Sequence, residues 1–165
     1  MDARAKARRL LELDLRTAIS AGEFEIFYQP LINLASGTVS GAEALLRWRH
    51  PHRGLISPAD FIPLAEETGL IVQLGAWALQ QACREAACWP NELRVAVNIS
   101  AVQFRNGDLL ETVLGALSDA KLSPRLLELE ITESVLLNDE SHVAELLHNL
   151  RRMGVRISLD DFGTG

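Results

Sequence analysis

Leu127-Glu128-Leu129-Glu130-Ile131-Thr132 alternates apolar and polar side chains without a break. A period of two is the pattern of a β-strand, whose successive side chains leave on opposite faces. Leu127, Leu129 and Ile131 then share one face, and Glu128, Glu130 and Thr132 share the other. Two other stretches have the same form. In Leu93–Asn98, Val95 and Val97 oppose Ala96 and Asn98; in Val155–Asp160, Val155, Ile157 and Leu159 oppose Arg156, Ser158 and Asp160. A doubly wound sheet is covered by helices on both faces, so its strands read as continuous apolar runs. One apolar and one polar face per strand instead predict a barrel, with helices outside, a polar lumen, and ligand groups at the upper rim.

The segments between these strands carry helical periodicity. Asp108 to Ala120 and Asn138 to Met153 read as crossover helices, the second with Val143, Leu146, Leu147, Leu150 and Met153 on one face and Gly154 as its stop. Upstream, residues 3–21 read as a helix with Leu10, Leu13 and Ile19 in its apolar stripe. Phe24 to Leu34 and Thr38 to Trp48 read as two strands joined by the short hairpin connection Ala35-Ser36-Gly37. His50 to Ile56 reads as a loop. Ser57-Pro58 supplies an N-cap and a first-turn proline for a short helix, and Leu70 to Trp89 is a longer one. The predicted fold class is α/β: about five strands in a β-α-β-α-β rhythm, parallel strands joined by crossovers.

At 165 residues the chain is long enough for one sizeable core. Its net charge of −6 argues against a general nucleic-acid binder, and no DNA binding is expected. No apolar run approaches the roughly 20 residues that cross a bilayer, and Met1 to Leu10 lacks the apolar segment of a secretory signal. A cytoplasmic location is the expectation. Cys83 and Cys88 lie in a predicted helix with no second Cys/His pair, which indicates reduced thiols and not a zinc site. Arg4, Lys6, Arg8 and Arg9 read as a solvated lead-in. The predicted organisation is therefore a helix or linker over 1–22 and a domain over 23–165. His50, His52 and Arg53 read as a solvated loop, Trp77 and Trp89 as packing residues, and Trp48 as either packing or base-stacking.

Asn98, Glu130 and Asp160 recur one βα unit apart. That spacing predicts three oxygen-bearing side chains at one height on successive strands. Glu43, on the face it shares with Leu45 and Arg47, fits as a fourth. These are hard oxygen donors, suited to Mg²⁺ or Mn²⁺ and not to zinc or copper. Asp161 beside Asp160 would let one carboxylate bridge two ions while its neighbour binds the second. A strand-end carboxylate can equally cap a helix. Lower on the polar faces, Arg94, Glu128 and Arg156 predict a charge-compensating layer, with Glu128 in salt-bridge reach of one of the arginines.

Six ordered blocks carry a resemblance: Phe27-Tyr28-Gln29-Pro30, Glu43-Ala44-Leu45-Leu46-Arg47-Trp48, Phe61-Ile62-Pro63-Leu64-Ala65-Glu66, Val97-Asn98-Ile99-Ser100, Glu130-Ile131-Thr132-Glu133-Ser134 and Asp160-Asp161-Phe162-Gly163-Thr164-Gly165. From about Leu13 onward the chain resembles the EAL domain, the bacterial cyclic-di-GMP phosphodiesterase. The resemblance implies a (βα)8 TIM-like barrel whose first strand is antiparallel to the rest. It implies hydrolysis of cyclic di-GMP to linear pGpG with two Mg²⁺ or Mn²⁺ ions per complete site. Glu43, Asn98, Glu130 and Asp160 match the family's metal ligands, with Asp161 on the second ion and Glu43, Asp160 and Asp161 as the catalytic set. Arg47 matches a phosphate contact, Gln29, Leu45 and Leu46 the nucleotide pocket, and Glu133 the residue that steadies the loop after Asp160-Asp161. It also implies that the family domain continues past Gly165, through a lysine, a glutamate and a glutamine of the site. The chain is therefore expected to be a C-terminally truncated barrel, inactive alone and prone to self-association. The alternative expectation is a non-catalytic cyclic-di-GMP-binding regulatory module. An upstream sensory or diguanylate-cyclase-like domain is a further expected partner.

Overall fold

Asp2 starts the first helix by accepting the Arg4 N–H, and α1 (Ala3–Ala18) begins there. The computed structural model describes residues 2–106, 108–137 and 140–160. After α1 come β1 (Phe24–Ile32), β2 (Val39–His50), β3 (Gly54–Ile56), α2 (Pro58–Thr68), α3 (Leu70–Ala86) and β4 (Arg94–Asn98). The chain continues through α4 (Ala101–Asn106), α5 (Leu109–Ala120), β5 (Leu127–Thr132), α6 (Glu133–Leu137), α7 (Glu140–Arg152) and β6 (Arg156–Asp160). One sheet runs β1-β2-β4-β5-β6, with β3 added to the end of β2. β1 is antiparallel to β2, while β2, β4, β5 and β6 are mutually parallel. This is the expected α/β arrangement with its first strand reversed, plus a three-residue strand in the segment expected to be a loop.

The apolar alternation settles which face the helices cover. Val95, Leu127 and Leu129 are fully buried and Val97 and Ile131 nearly so, packed in one cluster with Leu79, Val113, Leu117, Val143 and Leu150 of α3, α5 and α7. A second cluster gathers around Trp48 at the far end of β2, from α1 (Leu15, Ala18), β1 (Phe24) and α2 (Phe61, Leu64, Ala65). Phe24 stacks on Trp48 at 5.5 Å and Phe61 meets Trp48 edge-on at 5.7 Å. The Trp48 indole N–H donates to Glu23 Oε1 at 3.0 Å. Trp48 is a core residue, and base stacking by it is excluded. Gly41 permits a close approach of β2 to β4: a Cβ there would lie 2.2 Å from the Arg94 carbonyl oxygen.

Three local expectations need correction. The helix read over 3–21 ends at Ala18, and the one read to Trp89 ends at Ala86. The loop from His50 contains β3 because His50 builds a turn: its Nδ1 accepts the N–H groups of His52 and Arg53, and Gly54 takes φ 71°. His50 is therefore 7% exposed and not part of a solvated loop. Its Nε2 lies 2.8 Å from Asp14 Oδ2, which fastens α1 to the end of β2. His52, Arg53 and the basic lead-in are exposed as expected, although Arg8 pairs with Glu67 on α2. Cys83 is buried, which pushes its thiol up to about 12, and Cys88 is exposed. Among the described residues no helix is long and apolar enough to cross a membrane.

Candidate functional site

Strand register decides which of the candidate side chains can meet. Asn98 of β4 pairs with Glu130 of β5. Glu43 of β2 pairs with Ala96, two residues below Asn98, and Asp160 of β6 pairs with Thr132, two residues above Glu130. In the hydrogen-bond register only Asn98 and Glu130 are level. The stagger runs one way across the sheet, from Glu43 up to Asp160. Barrel strands tilt by roughly 35–45° to the axis, and positions level along the axis then step along successive strands. Strand spacing in sequence carries no information on that tilt, so the stagger is not legible in it.

Glu43, Asn98 and Glu130 form the inner group. Asn98 Nδ2 donates to Glu43 Oε2 at 3.0 Å. The Glu130 carboxyl is raised to about 7 by burial first, then by the Glu43 and Asp160 carboxylates, a side-chain hydrogen bond with Glu43, and Glu128. Glu130 Oε1 is buried and, among the described residues, has no hydrogen-bond partner. An unpartnered buried carboxylate oxygen facing further carboxylates is costly without a positive charge. A hard divalent cation fits that requirement and fits the donor chemistry. Among the described residues, no group of three or more His, Cys, Asp and Glu side chains is placed to hold a metal ion. The gathered set is mixed instead, with the Asn98 amide between the two glutamates. Asp161 lies outside the described residues, as does the loop that Glu133 was expected to steady; Glu133 itself opens α6 and is exposed.

A cavity of about 320 Å³ adjoins this group. Asn98 and Glu130 line it together with Leu45, Leu46 and Arg47, and its other wall is apolar, from Pro58, Ile62 and Ile71. The Arg47 guanidinium lies over the Phe27 ring at 5.3 Å and donates to the Leu46 carbonyl at 3.0 Å. Cation–π contact of this kind holds a guanidinium in place while leaving donors free. Gln29 does not line the cavity, but it pairs with Glu43 and so shares the inward face, two residues from Phe27.

The lower charge layer takes a different form. Among the described residues no ion pair joins Glu128 to Arg94 or Arg156; Ser158 Oγ donates to Glu128 Oε2 at 3.1 Å instead, and Arg156 extends to solvent. Glu128 pairs with Arg156 in register, yet a short hydroxyl from the next inward position of β6 satisfies it. The sequence pattern assigns no role to Phe27, Glu66 or Gln103. For Phe27 a signal exists, since it has the same strand phase as Gln29. For Gln103 it is the Ser-x-x-Gln spacing that begins at Ser100.

The EAL domain profile matches residues 12–165. Over its whole length the chain is 52% identical to the protein y4lL of Sinorhizobium fredii and spans 20% of it. It is 45% identical to the bifunctional diguanylate cyclase/cyclic di-GMP phosphodiesterase MucR of Pseudomonas aeruginosa, again over its whole length, and spans 25% of that protein. The solved PaMucR phosphodiesterase in its c-di-GMP complex matches with a TM-score of 0.89 at 46% identity, over 94% of this chain and 65% of that one. The solved EAL domains it resembles are TIM-barrel-like, and in this chain the first strand is antiparallel to the rest. The chain belongs to the EAL domain family.

Proposed function

We propose that this chain carries the cyclic-di-GMP site of a divalent-metal-dependent phosphodiesterase. EAL phosphodiesterases as a family depend on divalent metal. The observation that carries the reading here is Glu130 Oε1, buried without a partner among the described residues, beside Glu43 and Asn98. Glu43, Asn98, Glu130 and Asp160 would hold the ions, of which Mg²⁺ and Mn²⁺ suit oxygen donors. Asp161 would complete the second position. The ions would supply Lewis acidity toward phosphoryl oxygen and a nucleophile at neutral pH. Arg47, steadied by Phe27, offers a charge-assisted contact to a phosphate. Leu45 presents apolar surface to a nucleobase or ribose, and Gln29 offers a polar edge on the same face of the sheet, whereas Leu46 leaves β2 on the opposite face and packs against the Trp48 core cluster. The PaMucR structure in its c-di-GMP complex supports that choice of ligand.

Calorimetric titration with Mn²⁺, and then with cyclic di-GMP in the presence of Mn²⁺, tests the reading. Wild-type chain should bind both, while Glu43→Ala and Glu130→Gln should lose the metal and Arg47→Ala should weaken only the nucleotide. Equal Mn²⁺ binding by wild type and Glu43→Ala would overturn the metal assignment. Chromatographic detection of pGpG separates an enzyme from a binding module.

A further inference from the structure

Asn98 ends β4 with an exposed side chain, and the chain turns directly beyond it. The Ile99 N–H donates to the Glu130 carbonyl at 2.9 Å, which carries strand pairing one residue further. Ser100 then turns the chain into α4. Its Oγ accepts the Val102 N–H at 3.1 Å, and its own N–H donates to Gln103 Oε1 at 3.0 Å. Together these bonds form a variant capping box, with the hydroxyl on the second helical N–H and glutamine at the third helical position.

Capping by itself needs nothing beyond the helix end, but this box is tied into two other helices. Gln103 is 4% exposed. Ser100 Oγ donates to Glu66 Oε2 of α2 at 2.6 Å. On the other side, the Gln103 amide lies on the backbone of α3, where a Cβ at Gly75 would sit 2.2 Å from Gln103 Nε2. Glycine weakens a helix interior relative to alanine, and α3 has it at the contact with that amide. Glu66, Gly75, Ser100 and Gln103 all line the cavity that Asn98 and Glu130 line.

We infer that the Ser100–Gln103 capping box, held between Glu66 and Gly75, is the positioning device of the site: it sets the direction of the Asn98 amide and its contact with Glu43. These are positioning residues, acting through Asn98. The consequence for metal binding rests on the reading proposed above, whereas the placement of Asn98 does not. The box also couples α2 and α3 to the sheet, so a shift of either helix reaches Asn98 through one hydroxyl and one amide.

The test uses the nitrogen-15-labelled chain and two readouts: the Asn98 side-chain NH₂ resonances, assigned by their loss in Asn98→Ala, and the affinity for Mn²⁺. Ser100→Ala removes the hydroxyl's bonds to Val102 and Glu66, Ser100→Thr keeps its hydroxyl, and Gly75→Ala displaces the Gln103 amide with both box residues intact. Val113→Ala, in the fully buried core of α5, is the control for general destabilisation. Ser100→Ala and Gly75→Ala should each shift the Asn98 NH₂ signals and weaken Mn²⁺ binding about tenfold, the scale for residues that orient metal ligands. Ser100→Thr should restore both readouts, and Val113→Ala should move neither. Should Ser100→Ala fail to fold, Gly75→Ala decides the matter alone. Asn98 signals unmoved in the folded variants, or moved equally by Val113→Ala, would overturn the inference. Mn²⁺ binding untouched by Asn98→Ala would overturn the metal reading alone, and the NMR arm would still decide the placement.

Discussion

On the outward face of β4 and β5, Val95, Val97, Leu127, Leu129 and Ile131 are all between 0% and 3% exposed. On the inward face of the same strands, Glu128 and Glu130 are only partly covered and Asn98 is exposed. Full burial of an aliphatic side chain contributes roughly 1.5–3 kcal/mol, so the outward face is where these strands gain stability. The inward face gathers carboxylates, and burial together with their mutual repulsion lifts Glu130 to about 7. Residues one position apart therefore work in opposite senses. The outer one holds the fold, and the inner one is a strain on the metal-free fold that a bound cation would relieve.

The largest effect should come from the outer face. Leu129→Ala should lower unfolding free energy by about 3 kcal/mol, as for other fully buried leucines. Urea denaturation checks this, and calorimetry on the folded fraction should find Mn²⁺ affinity unchanged. A change in affinity as large as the loss of stability would end the separation of the two faces.

Gly41→Ala probes an inward position that is structural. The added Cβ would meet the Arg94 carbonyl, which is backbone and can yield only if β2 and β4 move apart. A loss of about 2 kcal/mol is expected, within the range for overpacked sites, again by urea denaturation. A neutral result would show that the β2–β4 pairing relaxes freely.

Glu130→Gln sharpens the comparison, being the neighbour of Leu129. The carboxyl is raised in the folded protein from its ordinary value of 4.5 to about 7. Between those pH values the folded state binds the extra proton. Its favourable contribution is thus complete below the unfolded value and is lost as pH rises through about 7. Metal-free wild type should therefore lose stability from pH 5 to pH 8, by about 1 kcal/mol once partial solvent screening is allowed for. Glu130→Gln should remove that slope and be the more stable protein at pH 8, while Mn²⁺ should flatten the slope in wild type alone. Thermal melts at the two pH values decide it; a slope that survives in Glu130→Gln belongs to another group.

The smallest effect belongs to charges outside both faces. Arg125 donates to Glu92 Oε1 at 2.7 Å, which holds the Glu92 carboxyl below its usual range, yet both side chains are more than half exposed. Glu92→Gln should leave the melting temperature unchanged.

Much of the site is legible in the chain. Period-two alternation alone separates Leu129 from Glu130, and the motif order around Glu43, Asn98 and Asp160 points to the family. The short elements are not legible in that way. The helices after β4 and β5 span only Ala101–Asn106 and Glu133–Leu137, too short for a periodic signal. His50 looks like a loop residue because its partners are Asp14, far away in sequence, and two backbone amides of its own turn.

The sequence by itself determined which face each side chain takes and which oxygen donors are available, because strand periodicity is a property of local backbone geometry. Only the tertiary structure decided how those donors align. The offset of Glu43 below Asn98 and of Asp160 above Glu130 comes from strand tilt. The burial of Gln103 against Gly75 comes from the packing of α3 beside α4. Both depend on segments distant in the chain meeting at close range, and local periodicity does not encode such meetings.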